Sequence, residues 1–332
     1  MSGGARCSCA DLFCAARSMK IAYLGPAGTF TEEALLSDPA SGLPGVELIP
    51  MRSIDEVLVS VQEGQMENGF VAIENSIEGT VNITLDTLVF GSDLLIQREV
   101  VTPIRMHLMG RKGADVAGLE RVLSFPHAIA QCRDWLSNHA PDATIVASNS
   151  TADAVRMVAE WDDPTAAAIG PARAAELHGL EVLAADIEDH SDNATRFVLV
   201  ARDGIPPPTG HDKTSIVCFQ RADHPGSLHS ILGQFSARDL NLTKLESRPT
   251  KKGLGDYCFV IDLEGHIDDE VIADCLRDLH AQLPALKFLG SYPAAGAHGE
   301  SRRRDAEQSW READGWVREL KAKVGRGFWQ TY

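Results

Sequence analysis

Four segments place small or hydroxylic residues between a strand-like run and a helix-like run. They are GPAGTFT at 25–31, ENSIEGTV at 74–81, SNSTAD at 148–153 and, in reversed order, DNATRF at 192–197. The chemistry such ends offer is anion binding. A helix start leaves backbone N–H groups unpaired and carries a partial positive charge, so a carboxylate is well held there. The hydroxyls of Thr29, Ser76, Ser150 and Thr151 would add donors. Any one of these segments taken alone reads more readily as a merely capped helix, because Ser and Thr are common caps. Four of them converging on one cleft would bind a polyanion.

Other chemistries find little support. The seven cysteines, Cys7, Cys9, Cys14, Cys132, Cys218, Cys258 and Cys275, are odd in number and include no Cys-x-x-Cys pair. Neither a disulfide framework nor a structural zinc fits, and a reducing, cytoplasmic setting is expected. The 11 histidines contain no His-x-x-x-His pair, and no Ser-His-Asp or Cys-His order stands out. GPAGTF lacks the spacing of a dinucleotide fingerprint or a phosphate loop. No metal and no cofactor are therefore expected, and the reaction must be one a polar pocket can run alone. With 47 acidic against 31 basic residues the formal net charge is -16. Such a surface repels phosphate backbones, which argues against a nucleic-acid partner. An anionic small substrate would need a site that reverses the sign locally. No run approaches the roughly 20 apolar residues of a membrane helix, so no membrane partner is expected.

The elements that must position these residues follow an α/β order. KIAYLG (20–25) reads as a buried strand, with a helix from Thr29 to Leu36 after it. Ser53 and Glu56 have the spacing of a capping box ahead of Ile54, Val57, Leu58 and Val61. GFVAIEN (69–75) is a further strand, and SIEGTVNITLDTL is expected to turn back into helix. Strands are expected at 122–125, 143–147 and 166–169, with a helix starting near Ser150-Thr151. RDGIPPPTGHDK (202–213) has the composition of an exposed linker. Beyond it lie a strand TSIVCFQ, a helix opening at Asp223-His224-Pro225, strands over 240–249 and 256–263, a helix over 268–282 and a strand LKFLGSY. That βαββαβ order predicts a ferredoxin-like module. The domain reading is an extension over 1–18, with Met19 as the natural start, a first domain over 19–202, a linker over 203–213, a second domain over 214–292 and a tail over 293–332.

At this point the motifs carry a resemblance. GPAGTFTEEA, ENSIEGTV, SNSTADA and NATRF, in that order, resemble the catalytic domain of prephenate dehydratase. HPGSL and NLTKLESRP are similar to the ACT regulatory domain that follows it. The resemblance implies a catalytic domain of two α/β lobes, similar to a type 2 periplasmic binding protein, with one lobe at about 20–98 plus 190–202 and the other between. It implies dehydration and decarboxylation of prephenate to phenylpyruvate on the route to L-phenylalanine. The alternatives it leaves are an arogenate dehydratase, or a non-catalytic amino-acid or solute-binding protein of the same fold.

By position, the resemblance makes Thr195 the catalytic threonine and places Thr29, Asn75, Ser76, Gly79, Ser150, Thr151 and Arg196 at the substrate. In a regular strand Thr195 and Arg196 point to opposite faces, so both reach substrate only where the strand begins irregularly. Phe197 reads as a packing residue. The L-phenylalanine effector would lie between ACT modules of a homodimer or homotetramer. It would contact Gly226, Ser227, Leu228 and His229 on one side, and Asn241, Leu242, Glu246, Ser247, Arg248 and Pro249 on the other. His229 stands where the family's loop carries valine, which puts a titratable ring near that pocket.

Overall fold

The computed structural model describes residues 19–220, 225–251, 256–296 and 300–324. The extension over 1–18, the positions Asp223 and His224 and most of the 251–255 turn lie outside them. Two sheets build the first part of the chain. The first has the order β2-β1-β3-β11-β5, with β4 paired to β3. Its strands are β1 (Met19–Leu24), β2 (Val46–Met51), β3 (Asn68–Asn75), β4 (Gly79–Thr80), β5 (Leu95–Pro103) and β11 (Ala194–Ala201). The second has the order β10-β6-β9-β7-β8. It comprises β6 (His107–Gly110), β7 (Arg121–Ser124), β8 (Thr144–Ala147), β9 (Ala166–Gly170) and β10 (Glu181–Ala184). The chain thus leaves the first sheet after β5 and returns to it at β11.

Helices pack against both sheets for the reason their sequences give. In α2 (Ile54–Gln62) the buried residues Val57, Leu58 and Val61 form one stripe, and Ser53 Oγ accepts the Glu56 N–H. The Glu56 carboxylate closes back on Arg52 N, one residue before the cap. β9 is buried along its whole length, as a central strand covered on both faces must be. α1 (Phe30–Ser37) starts one residue after its Thr29 cap. The SIEGTVNITLDTL segment is not one helix. Gly79 adopts φ +79°, Thr80 pairs with Glu74, and only then does α3 (Asn82–Asp86) begin, running into a π-helical turn over Thr87–Gly91. The left-handed backbone at Gly79 stops the helix from forming earlier.

Further along the chain come β12 (Asp212–Phe219), α8 (Ser227–Ser236), β13 (Leu242–Pro249), β14 (Tyr257–Glu264), α9 (Glu270–Gln282) and β15 (Ala285–Pro293). They form an antiparallel sheet of order β13-β14-β12-β15. Ile216, Cys218, Ile261 and Leu263 on the sheet pack with Ile231, Phe235, Ile272 and Leu279 on the helices. The helix expected at Asp223 begins instead at Ser227, behind a left-handed Gly226. A further helix, α10 (Glu300–Lys321), lies in the tail. No helix of the described residues is long and apolar enough to cross a membrane.

The chain divides into two compact units, and not at the linker. One is Met1–Val81 with Val101–Phe197, and the other is Asn82–Val100 with Val198–Tyr332. Residues 82–100 are grouped with the second unit, although β5, which begins within them, is a strand of the first sheet, because they cover the face of the second unit's sheet turned away from α8 and α9. On that face Phe219 meets Phe90 edge-on at 6.4 Å, and Lys213 Nζ donates to both oxygens of Glu99 at 2.9 Å. A Cβ at Gly290 would lie 2.4 Å from the Ile96 carbonyl oxygen, so backbone approaches backbone there and only glycine fits.

Candidate active site

The ends of β3 and β11 bring the second and fourth motifs together. Asn75 closes β3 and Ala194 opens β11, and Ser76 N–H donates to the Ala194 carbonyl at 2.9 Å. Asn75 Oδ1 accepts from the backbone N–H groups of Ile77 and Glu78, each at 2.9 Å. Its Nδ2 therefore faces the other way, donating to Thr195 Oγ1 at 2.8 Å and to Asn193 Oδ1 at 2.9 Å. The Thr195 side chain is nearly enclosed, with 8% of the residue exposed. Because Oγ1 accepts from Asn75, its own proton is available to donate.

Around this pair stand further residues, of which Gln131 and His127 lie outside the four segments. Asn193 Nδ2 donates to Gln131 Oε1 at 2.9 Å, and Gln131 caps α4 (Pro126–Ala130) beside the second sheet. His127 on the same helix lies 3.3 Å from the Glu78 carboxylate of the ENSIEGTV loop. Ser76 Oγ accepts from Ala194 N–H at 2.9 Å, which locks the start of β11. Cys132, directly after Gln131, is buried. Burial, then the charges of Asp189 and Glu188, push its thiol up to about 12, so it is no nucleophile at neutral pH.

The other expected residues have different partners. Arg196 does not accompany Thr195: its guanidinium turns to Glu74, 3.5 Å away, as alternation along a strand directs. Thr29 Oγ1 donates to Leu24 O and accepts from Glu32 N–H, the ordinary work of a cap. Ser150 likewise caps α6 (Thr151–Trp161) by accepting from Asp153 N–H at 3.0 Å, and Thr151 is that helix's first residue. Phe197 is buried and stacked on Phe70, with ring centroids 5.3 Å apart. No group of three or more His, Cys, Asp or Glu among the described residues could hold a metal ion.

In the second unit, Gly226 and His229 are exposed, while Ser227 is partly buried at the start of α8. Leu228 and Leu242 pack on the module's core, and Asn241 O accepts from Glu264 N–H. Ser247 and Pro249 are exposed on β13. Arg248 is committed to other groups: it donates to Asn82 Oδ1 at 2.6 Å, to Asp86 Oδ1, and at 3.4 Å to Glu246. Lys251 reaches the second Asp86 oxygen at 2.7 Å.

The model of the prephenate dehydratase family matches residues 21–205, and that of the ACT domain matches 214–281. The chain belongs to the prephenate dehydratase family. It is 42% identical over 315 residues to the prephenate dehydratase of Mycolicibacterium smegmatis, covering 92% of this chain and 99% of that one. The Corynebacterium glutamicum enzyme is 40% identical over 302 residues, covering 90% and 95%. Among solved structures, prephenate dehydratase from Arthrobacter aurescens in complex with L-Phe superposes with a TM-score of 0.81 at 42% identity, covering 92% of this chain and all of that one. A quorum quenching acylase also shares the fold, with a TM-score of 0.73 at 30% identity over 83% of this chain and 98% of that one.

Proposed function

We propose that this protein is a prephenate dehydratase of L-phenylalanine biosynthesis, with L-phenylalanine as an effector acting through its ACT module. The observation that carries the reading is the Asn75–Thr195 hydrogen bond, in which the amide donates and the hydroxyl keeps its proton. Prephenate loses its ring hydroxyl and its ring carboxylate, taking up one proton and giving phenylpyruvate, water and carbon dioxide. Aromatisation drives that step, so the protein has chiefly to orient a dianion and assist the departing hydroxide. An alcohol is too weak an acid for free proton transfer at neutral pH, so Thr195 acts by hydrogen bonding to the leaving oxygen. The helix starts behind Thr29 and Ser150 supply donors for the carboxylates.

Acyl hydrolysis, the activity named for the acylase neighbour, calls for the opposite polarity. A threonine nucleophile needs a base to take its proton, and the side chain bonded to Thr195 Oγ1 here is the Asn75 amide nitrogen, which is no base. The ACT sheet favours a homodimer or homotetramer, since modules of this kind pair across isologous surfaces. We place the enzyme in the cytoplasm, where the free thiols of Cys132, Cys218, Cys258 and Cys275 stay reduced. The reading is tested by offering prephenate and arogenate separately to the purified chain. Phenylpyruvate forming faster from prephenate supports it. A preference for arogenate would reassign the substrate, and no turnover of either would leave a binding protein.

A further inference from the structure

Asn193 is 2% exposed, and its amide stands between two others. The oxygen and nitrogen of an amide are told apart by their partners, and here one end of the series is fixed. Asn75 Oδ1 is taken by the Ile77 and Glu78 N–H groups, so the Asn75 nitrogen must face Asn193. Asn193 must answer with its oxygen, since two facing NH₂ groups would leave both unpaired. Its own nitrogen then faces Gln131, which answers with Oε1. The result is a donor series with one direction, running from the backbone of the ENSIEGTV loop through Asn75 and Asn193 to α4.

We propose that Asn193 is a positioning residue for the dehydration: its side-chain oxygen holds the Asn75 amide against the Thr195 hydroxyl and its nitrogen anchors that amide pair to Gln131, so that Thr195 offers its proton in one direction. The two hydrogens of Asn75 Nδ2 have two short acceptors, Asn193 Oδ1 at 2.9 Å and Thr195 Oγ1 at 2.8 Å; the Ala194 carbonyl is longer at 3.3 Å. Without the Asn193 oxygen the amide can swing toward that carbonyl, and the bond that orients Thr195 is no longer fixed. The proposal rests on Thr195 being the donor to the leaving hydroxyl.

A double-mutant cycle on the full chain separates positioning from simple support of the fold. Asn193→Ala is expected to lower kcat for prephenate roughly tenfold to a hundredfold, the cost of a misplaced catalytic group, with KM nearly unchanged. Thr195→Ala should lower kcat about a hundredfold or more. The double variant should then be no slower than Thr195→Ala alone, because Asn193 has nothing left to orient. Losses that multiply, or a change confined to KM, would overturn the proposal. If thermal melting shows that Asn193→Ala does not fold, Asn193→Ser carries the same cycle with a small polar group in the space. A wild-type chain that leaves prephenate unchanged would sink the functional reading itself. Native turnover by Thr195→Ala would remove the role of Thr195 on which this proposal stands.

Discussion

Thr195 combines a small side chain with a single structural bond, which separates its effect on rate from its effect on stability. In Thr195→Ala, Asn75 Nδ2 keeps Asn193 Oδ1 and the Ala194 carbonyl as acceptors. The melting free energy should therefore change by under about 1 kcal/mol. The barrier should rise by roughly 3 kcal/mol, as when one oriented donor is removed from an active site. Steady-state turnover and a melting curve on the same preparation check this; normal turnover with an unchanged melting point would contradict it. Thr195 and Asn75 were named from the order of their motifs, and the structure brings the two side chains within hydrogen-bond reach. Asn193 and Gln131 were not. They are 62 residues apart, and their pairing exists only once β11 and α4 are placed.

At the scale of elements, β11 carries Thr195 and Phe197 on one face, two residues apart, with separate tasks. Phe197 fills the core against Phe70, so Phe197→Ala should destabilise by about 3–5 kcal/mol, while a leucine there, which keeps most of the volume and loses the ring stacking, should cost less. Denaturant unfolding measures both. Alternation along β11 also explains why Arg196, next to Thr195, ends at Glu74 instead. The role of 82–100 was hidden for another reason: sequence shows which residues are apolar but not which sheet they will cover. Here they tie the ACT module to the chain that directly follows ENSIEGTV, through Asp86, Arg248 and Lys251. Burial raises the Asp86 carboxyl pKa, but hydrogen bonds from Lys251 and Arg248 outweigh it and hold it below the ordinary value. The stabilisation from this pairing is therefore present above the usual carboxyl range and lost as pH falls through the lowered value. Asp86→Asn should melt below wild type at pH 7, and the gap should close on acidification. The same variant should bind L-phenylalanine by calorimetry as wild type does, yet be inhibited several-fold less.

For the whole molecule, the βαββαβ order was legible because hydrophobic period marks its strands and helices. The compact units were not, since they exchange a segment far from the linker. The thiol chemistry also belongs to this scale. Burial pushes Cys132 and Cys218 up to about 12 and Cys258 and Cys275 to about 11. These four should resist alkylation in the native protein at pH 8 and react on unfolding, as read by peptide mass mapping. Ready labelling of Cys132 in the folded enzyme would contradict the burial. Turnover should also survive a chelator, with no ion needed to restore it.

The central claim is that an amide-held threonine hydroxyl assists the loss of water from a dianion. It is tested most directly by following the ultraviolet absorbance of phenylpyruvate after adding prephenate to the purified full-length chain, with Thr195→Ala beside it. Phenylpyruvate should accumulate with wild type and fall by about a hundredfold or more in rate with the variant. Prephenate left unconverted by wild type, or equal rates from the two, would contradict the claim.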